Sequence, residues 1–292
     1  MLLVGTTSAL WDLDRSYALV DGAAVTALGR AGGLPVALLD GERLCRVGED
    51  DVEPFAALDR PDGQSLAATA AGTIVVGRSG ARLAVVDPGG GGVEPVESFD
   101  QVPGRGGWHN PANPTPDLRT LAVAGGAVLA GVHVGGVWRS EDLRLWQQVV
   151  ETDADVHEVT TEGETAALAA AVGFGWSLDG GRSWRFSSEG LHARYCRAVA
   201  LQGGAVYLSA SGGPWGDRSV LYRAPRAGEP FVRCAGGLPE FFPANIDSGT
   251  LAAAPGRVVF GTESGEVWAS DDGGDSWTRL AAELGRVTAV LA

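Results

Sequence analysis

Apolar residues recur at every second position in short runs along the whole chain, and the runs are broken by glycine, aspartate, asparagine and proline. Val36–Leu39 and Leu44–Val47, on either side of Asp40-Gly41, are typical. This period predicts half-buried strands joined by tight turns. No stretch longer than a turn or two carries a 3.6-residue period. Thr165–Val172 is rich in alanine, but its length and turn flanks favour an inner strand, so the chain reads as all-β.

The strands fall in fours, and units of 35 to 50 residues built from four short strands predict the blades of a propeller. Blade two covers Ala24–Leu58, blade three Ser65–Phe99 with turns at Gly72, Gly80 and Gly89–Gly92, and blade four Leu118–Val150. Blade five covers Val156–Ser187, blade six Tyr195–Ala235 and blade seven Thr250–Leu280. Leu2–Thr6, Leu10–Asp14 and Ala18–Asp21 supply only three strands of blade one. The segment Arg286–Ala292 is expected to add the fourth and clasp the ring shut. Seven blades in a single domain over residues 1–292 is the expected count, with six as the alternative. Three long connections interrupt the rhythm: Gln101–Asp117, Gly212–Arg218 and Gly236–Ser248.

A turn sequence repeats within these units. Ser270-Asp-Asp-Gly-Gly-Asp-Ser-Trp277 has a copy, Ser177-Leu-Asp-Gly-Gly-Arg-Ser-Trp184, and a shortened one, Ser140-Glu-Asp-Leu-Arg-Leu-Trp146. Ser and Asp can accept hydrogen bonds from nearby backbone N–H groups, Gly supplies positive φ, and Trp anchors the next strand. The serines are 37 and then 93 residues apart (177 − 140 and 270 − 177), one unit and then two longer ones. The turn resembles the Asp-box, or BNR, repeat of sialidase-like β-propellers. That resemblance implies a structural turn remote from any active centre. Asp271, Asp272 and Asp275 therefore read as turn residues, not as a Ca2+ site. Sialidase-type members use an arginine triad, a Tyr nucleophile helped by Glu, and an Asp acid. Tyr195 with Glu158 matches the nucleophile pair, and Arg197 is the one well-placed arginine. The Arg-Ile-Pro-type motif is absent, and Tyr222-Arg223-Ala224-Pro225 lies in the outer part of blade six, so sialidase activity is not expected. Photosystem assembly factors share such propellers, but their arginine-rich docking surface has no counterpart in this acidic chain.

In a propeller the connections fall on two faces, and the Asp-box turns occupy one. The opposite face is expected to receive all four histidines, His109, His133, His157 and His192, together with Trp108, Asn110, Tyr195, Cys196, Arg197, Trp215, Asp217, Glu240, Asn245 and Asp247. Converging neutral imidazoles suit a divalent metal such as zinc or a base for proton transfer. His109, His133, His157 and His192 are the expected metal set; the alternative is that each bonds a loop carbonyl. His157, Glu158, Tyr195 and Arg197 are the expected catalytic group. Trp108, His109, Asn110, His133, His192, Trp215, Asn245 and Asp247 are expected to bind ligand, with the tryptophans stacking on a sugar. A glycoside hydrolase needs two carboxylates, and Asp155, Glu158, Asp217, Glu240 and Asp247 lie on the right face. Trp138, Trp176, Trp184, Trp268 and Trp277 occupy repeat positions and are expected to pack between blades.

Composition narrows the partners. The net charge of −14 over 292 residues argues against nucleic acid or an anionic membrane, both of which require a basic footprint. All 22 positive side chains are arginine. Cys45, Cys196 and Cys234 show no CxxC spacing and read as thiols of a cytoplasmic protein, and no signal or membrane-spanning segment is evident. The expected function is binding of a small polar ligand or carbohydrate over the central channel, with hydrolase-like or lyase-like chemistry. The alternative is a scaffold that presents this face to a protein partner.

Overall fold

The computed structural model describes residues 1–89 and 92–292. It consists of seven four-stranded antiparallel sheets arranged as the blades of a propeller, which settles the count against six. Gly90 and Gly91, in the middle of the turn expected at Gly89–Gly92, lie outside the described residues.

Blade one is closed as expected: Val287–Leu291 is its inner strand and pairs antiparallel with Leu3–Thr6, setting Leu3 opposite Leu291 and Val4 opposite Val290. Ala9–Asp12 and Tyr17–Asp21 complete the sheet. Gly5 is required at this seam, since a Cβ there would lie 2.5 Å from Cβ of Val25 in blade two. The inner strands of blades two to seven are Val25–Ala31, Gly63–Ala68, Leu118–Ala124, Val156–Glu162, Tyr195–Gln202 and Leu251–Ala254. The expected blades agree with these to within a few residues.

The core lies between blades. Leu3, Leu10, Val25, Ala37, Leu39 and Ala289 fill the gap between blades one and two, and similar clusters fill the others. Each large side chain so buried contributes about 1.5–3 kcal/mol. Trp138 and Trp277 are buried among such clusters, while Trp176, Trp184 and Trp268 pack against them half-buried.

The three repeated turns share the hydrogen bonds accepted by their Ser and Asp, and the two full copies add an indole bond within the turn, where Trp146 of the shortened copy donates to Ser98 Oγ (3.2 Å). In the copy at 177–184, Ser177 Oγ accepts the Gly181 N–H (2.9 Å), Asp179 Oδ1 accepts those of Arg182 and Ser183 (3.1 and 2.9 Å), and the Trp184 indole donates to Gly181 O (3.1 Å). The copy at 270–277 repeats these contacts through Ser270, Asp272 and Gly274. In the shortened copy Leu143 takes a φ of 59°, a conformation ordinary side chains seldom adopt.

The long connection before blade four is packed, not open. It contains two short 3-10 turns, Glu97–Gln101 and Arg105–Gly107, and it buries Phe99, Val102 and Trp108 against blades three and four. Cys45, Cys196 and Cys234 are buried and free. Among the described residues, no helix is long and apolar enough to cross a membrane.

Candidate functional site

The inner strands share a local pattern that aims side chains into the ring. In blades two to six the pairing of the inner strand with its neighbour shifts near its start, at Val25/Ala27, Gly63/Ser65, Leu118/Thr120, Val156/Glu158 and Cys196/Val199. Such bulges re-aim the extra residue. The residues at these shifts include Thr26, Gln64, Arg119, His157 and Arg197. Thr26, Gln64, Arg119, Glu158, Ser248 and Thr288 help line a central cavity of about 220 Å3.

At one end of this cavity, charged side chains from blades four to seven meet. Asp247 receives Arg197 through Nε at 3.0 Å to Oδ1 and through a terminal nitrogen at 3.2 Å to Oδ2. Arg119 reaches the same carboxylate at 3.3 Å, and Arg286 approaches it at 3.7 Å. Burial opposes ionisation of Asp247, but Arg197 and Arg119 outweigh it and hold its carboxyl below the usual range. Tyr195 lies beside Arg197, with the guanidinium 5.7 Å from its ring centroid.

Glu158 bridges three blades. Its Oε2 accepts the Val199 N–H (2.9 Å) and its Oε1 accepts the Gly249 N–H (3.0 Å). Thr120 occupies the corresponding position in blade four and bonds Val159 of the next blade in the same way, at 3.0 Å. Burial, with a contribution from the Asp247 charge, pushes the Glu158 carboxyl up to about 8 despite the two N–H donors. Two neighbouring acids are thus driven in opposite directions.

Beside this cluster, His133 Nε2 lies 3.1 Å from Asp155 Oδ1, and His157 Nε2 lies 3.5 Å from the same oxygen. His157 is fully buried, and its Nδ1 is 2.6 Å from the carbonyl oxygen of Cys196. A carbonyl only accepts, so Nδ1 carries the proton. Burial, then the charges of Arg119 and Arg197, hold His157 down to about 3, and it is neutral. His133 is shifted the other way: burial opposes its charging, but Asp117 and Asp155 raise it. Asp155 holds a φ of 52°, which turns its carboxylate toward both rings.

The expected group His157, Glu158, Tyr195 and Arg197 is assembled here with His133 and Asp247. The expected four-histidine metal set is not. His109 is exposed, with Nδ1 3.2 Å from Gly107 O, and His192 bonds the Tyr222 hydroxyl at 2.7 Å and stacks on its ring. Each is committed to a partner elsewhere, and Asp155 stands in their place beside His133 and His157. Trp108 cannot stack on a sugar, because it is buried between Phe99 and Trp138. Asn110 caps its own loop, donating to Asp117 and accepting from Ala112 N–H, and Asn245 donates to Pro214 O (3.0 Å). Trp215 is 86% exposed. Asp217 and Glu240 are exposed and take no part in the cluster.

Arg119 and Arg286 were not singled out by the sequence. A signal existed for the first: inner strands open on an apolar residue, two variable ones and a second apolar, as in Leu118-Arg-Thr-Leu121, Val156-His-Glu-Val159 and Cys196-Arg-Ala-Val199. Arg119, His157 and Arg197 share one position in that alignment.

No family model matches the chain, and no curated protein matches it. Solved structures do. A computationally designed protein, Ika8, is 15% identical with a TM-score of 0.65, covering 99% of this chain and 86% of its own. A GH74 enzyme of Niastella koreensis is 15% identical with a TM-score of 0.65 over 95% of this chain, and this chain spans 46% of it. YCF48 bound to D1 peptide is 16% identical with a TM-score of 0.58, covering 96% of this chain and 84% of that one. At these identities the likeness is one of fold: the chain is a seven-bladed β-propeller in which Arg119, Arg197 and Arg286 converge on Asp247.

Proposed function

We propose that the protein binds a small carbohydrate at the channel end and cleaves a glycosidic bond there. The observation that carries this reading is the setting of two neighbouring acids, Glu158 held between two backbone N–H groups and pushed up by burial, and Asp247 paired with Arg197 and Arg119 and held down by them. Environments that push two acids apart in this way provide a proton donor and a charged partner. Glu158 would protonate the leaving oxygen, while Asp247 stabilises the developing positive charge on the sugar or activates water. Arg119 and Arg197 offer fixed donors to hydroxyl groups, and the Tyr195 ring offers a stacking face. The similarity in fold to GH74 enzymes supports the substrate class.

The test is calorimetric titration with neutral oligosaccharides beside hydrolysis of an aryl-glycoside panel. Saturable binding and turnover are expected, with the rate falling as pH rises through about 8 as Glu158 deprotonates. Glu158→Gln should lower the rate by about 10²-fold or more. Failure of the folded wild type to bind or cleave any sugar overturns the reading.

Trp215 favours a second reading. It stands 86% exposed on a connection of the same face, an anchor of the kind that protein interfaces use. A peptide-binding scaffold, as for YCF48 bound to D1 peptide, would lose its partner on Trp215→Ala and keep it on Glu158→Gln.

A further inference from the structure

His157 carries a lone pair that nothing among the described residues satisfies. Its Nδ1 proton is committed to the Cys196 carbonyl, so Nε2 is an acceptor, and this atom is fully buried without a hydrogen-bond donor. The group facing it is Asp155 Oδ1, itself an acceptor and likewise without a partner of good geometry. Two buried acceptors aimed at one another cost free energy unless something positive lies between them. A proton from His133 accounts for one side only. Its Nε2 is 3.1 Å from Asp155 Oδ1, and that contact leaves His157 Nε2 unpaired.

We propose that His133, Asp155 and His157 bind one divalent transition-metal ion of the Zn2+ class. The three donor atoms lie within 4.8 Å of one another, with two of the separations at 3.1 and 3.5 Å. Ligands about 2.0–2.2 Å from a tetrahedral ion are separated by roughly 3.4 Å, so the site needs only a small adjustment. Two imidazoles and a carboxylate form a donor set suited to zinc and its neighbours, and three protein ligands leave a position for water or substrate. The orientation of His157 is already fixed by its bond to Cys196 O, since a metal-bound histidine commonly donates its other ring N–H to a carbonyl or carboxylate. The nearest cations, Arg119 and Arg197, are paired with the Asp247 carboxylate, which offsets their charge beside the site. This site is independent of the sugar reading, since neither Glu158 nor Asp247 belongs to it.

Chelator-stripped full-length protein would be titrated with Zn2+ by equilibrium dialysis and with Co2+ by visible absorption. One ion per chain and Co2+ ligand-field bands are expected. Asp155→Asn and His133→Ala, checked for folding by circular dichroism, should each weaken binding by more than the roughly 10–100-fold lost when only a hydrogen-bond partner of a metal ligand is changed, and His109→Ala should leave it unchanged. In the wild type, Zn2+ should shift the imidazole nitrogen resonances of His133 and His157 and not those of His192. Absence of saturable binding by the wild type, or undiminished binding in folded Asp155→Asn, overturns the proposal, whatever the outcome with sugars.

Discussion

Arg197 and Asp247 face each other side-on across the boundary between blade six and the segment leading into blade seven, with two nitrogen–oxygen contacts of 3.0 and 3.2 Å. The same carboxylate also neutralises Arg119. Asp247→Ala would therefore leave two partly buried guanidinium groups without a counter-charge. Removing one partner of a buried pair costs about 3–5 kcal/mol, and the partial exposure of these groups places the expected loss at about 2–4 kcal/mol. Urea denaturation measures it, and a change below about 0.5 kcal/mol would contradict the pairing.

Trp277 is 6% exposed and packs edge-on against Phe260 at 5.3 Å. Replacing it with Ala should cost about 3–5 kcal/mol through lost burial and a residual cavity. Phe186, exposed at 45%, serves as the control, since its replacement with Ala should change stability far less.

Asp179 and Asp272 hold their carboxyls far below the ordinary value of 3.8, chiefly through Ser183 and Ser276, whose hydroxyl and backbone N–H groups bond them. A depressed folded pKa gives stability that is present above the unfolded value and lost as pH falls through the folded one. The melting temperature should therefore decline below pH 4. In the double variant Asp179→Asn/Asp272→Asn it should start lower and decline less steeply over the same range. Parallel curves for the two proteins would remove the turns from the acid response.

Closure of the ring rests on Val287–Leu291, which supplies the innermost strand of blade one. Deleting these residues exposes the edge of Leu3–Thr6 and uncovers Leu2 and Val4. The shortened chain should lose its cooperative thermal transition or melt much lower, and it should be prone to edge-to-edge association. A melting temperature within a few degrees of the parent would show that the clasp is dispensable.

Local chemistry carried the fold into the sequence. Period-two alternation, glycine-rich turns and the Ser-Asp-Gly-Trp repeats act over a few residues. They marked the strands, the seven units and even the closing strand at Arg286–Ala292. Part of the site was legible for the same reason: His157, Glu158, Tyr195 and Arg197 sit where inner strands begin, a place the repeat defines. Tertiary packing decided the rest. Histidines at 109, 133, 157 and 192 look alike along the chain. Only the bulged start of Val156–Glu162, the end of Ala127–Val132 and the φ of Asp155 bring two of them onto one carboxylate, and the other two turn to Gly107 and Tyr222. Trp108 and Trp215 differ only in what covers them, a cluster of aromatic rings for one and solvent for the other. Asp247 meets Arg119 across 128 positions of sequence, and that distance is closed by the ring, whose curvature sums packing across every blade.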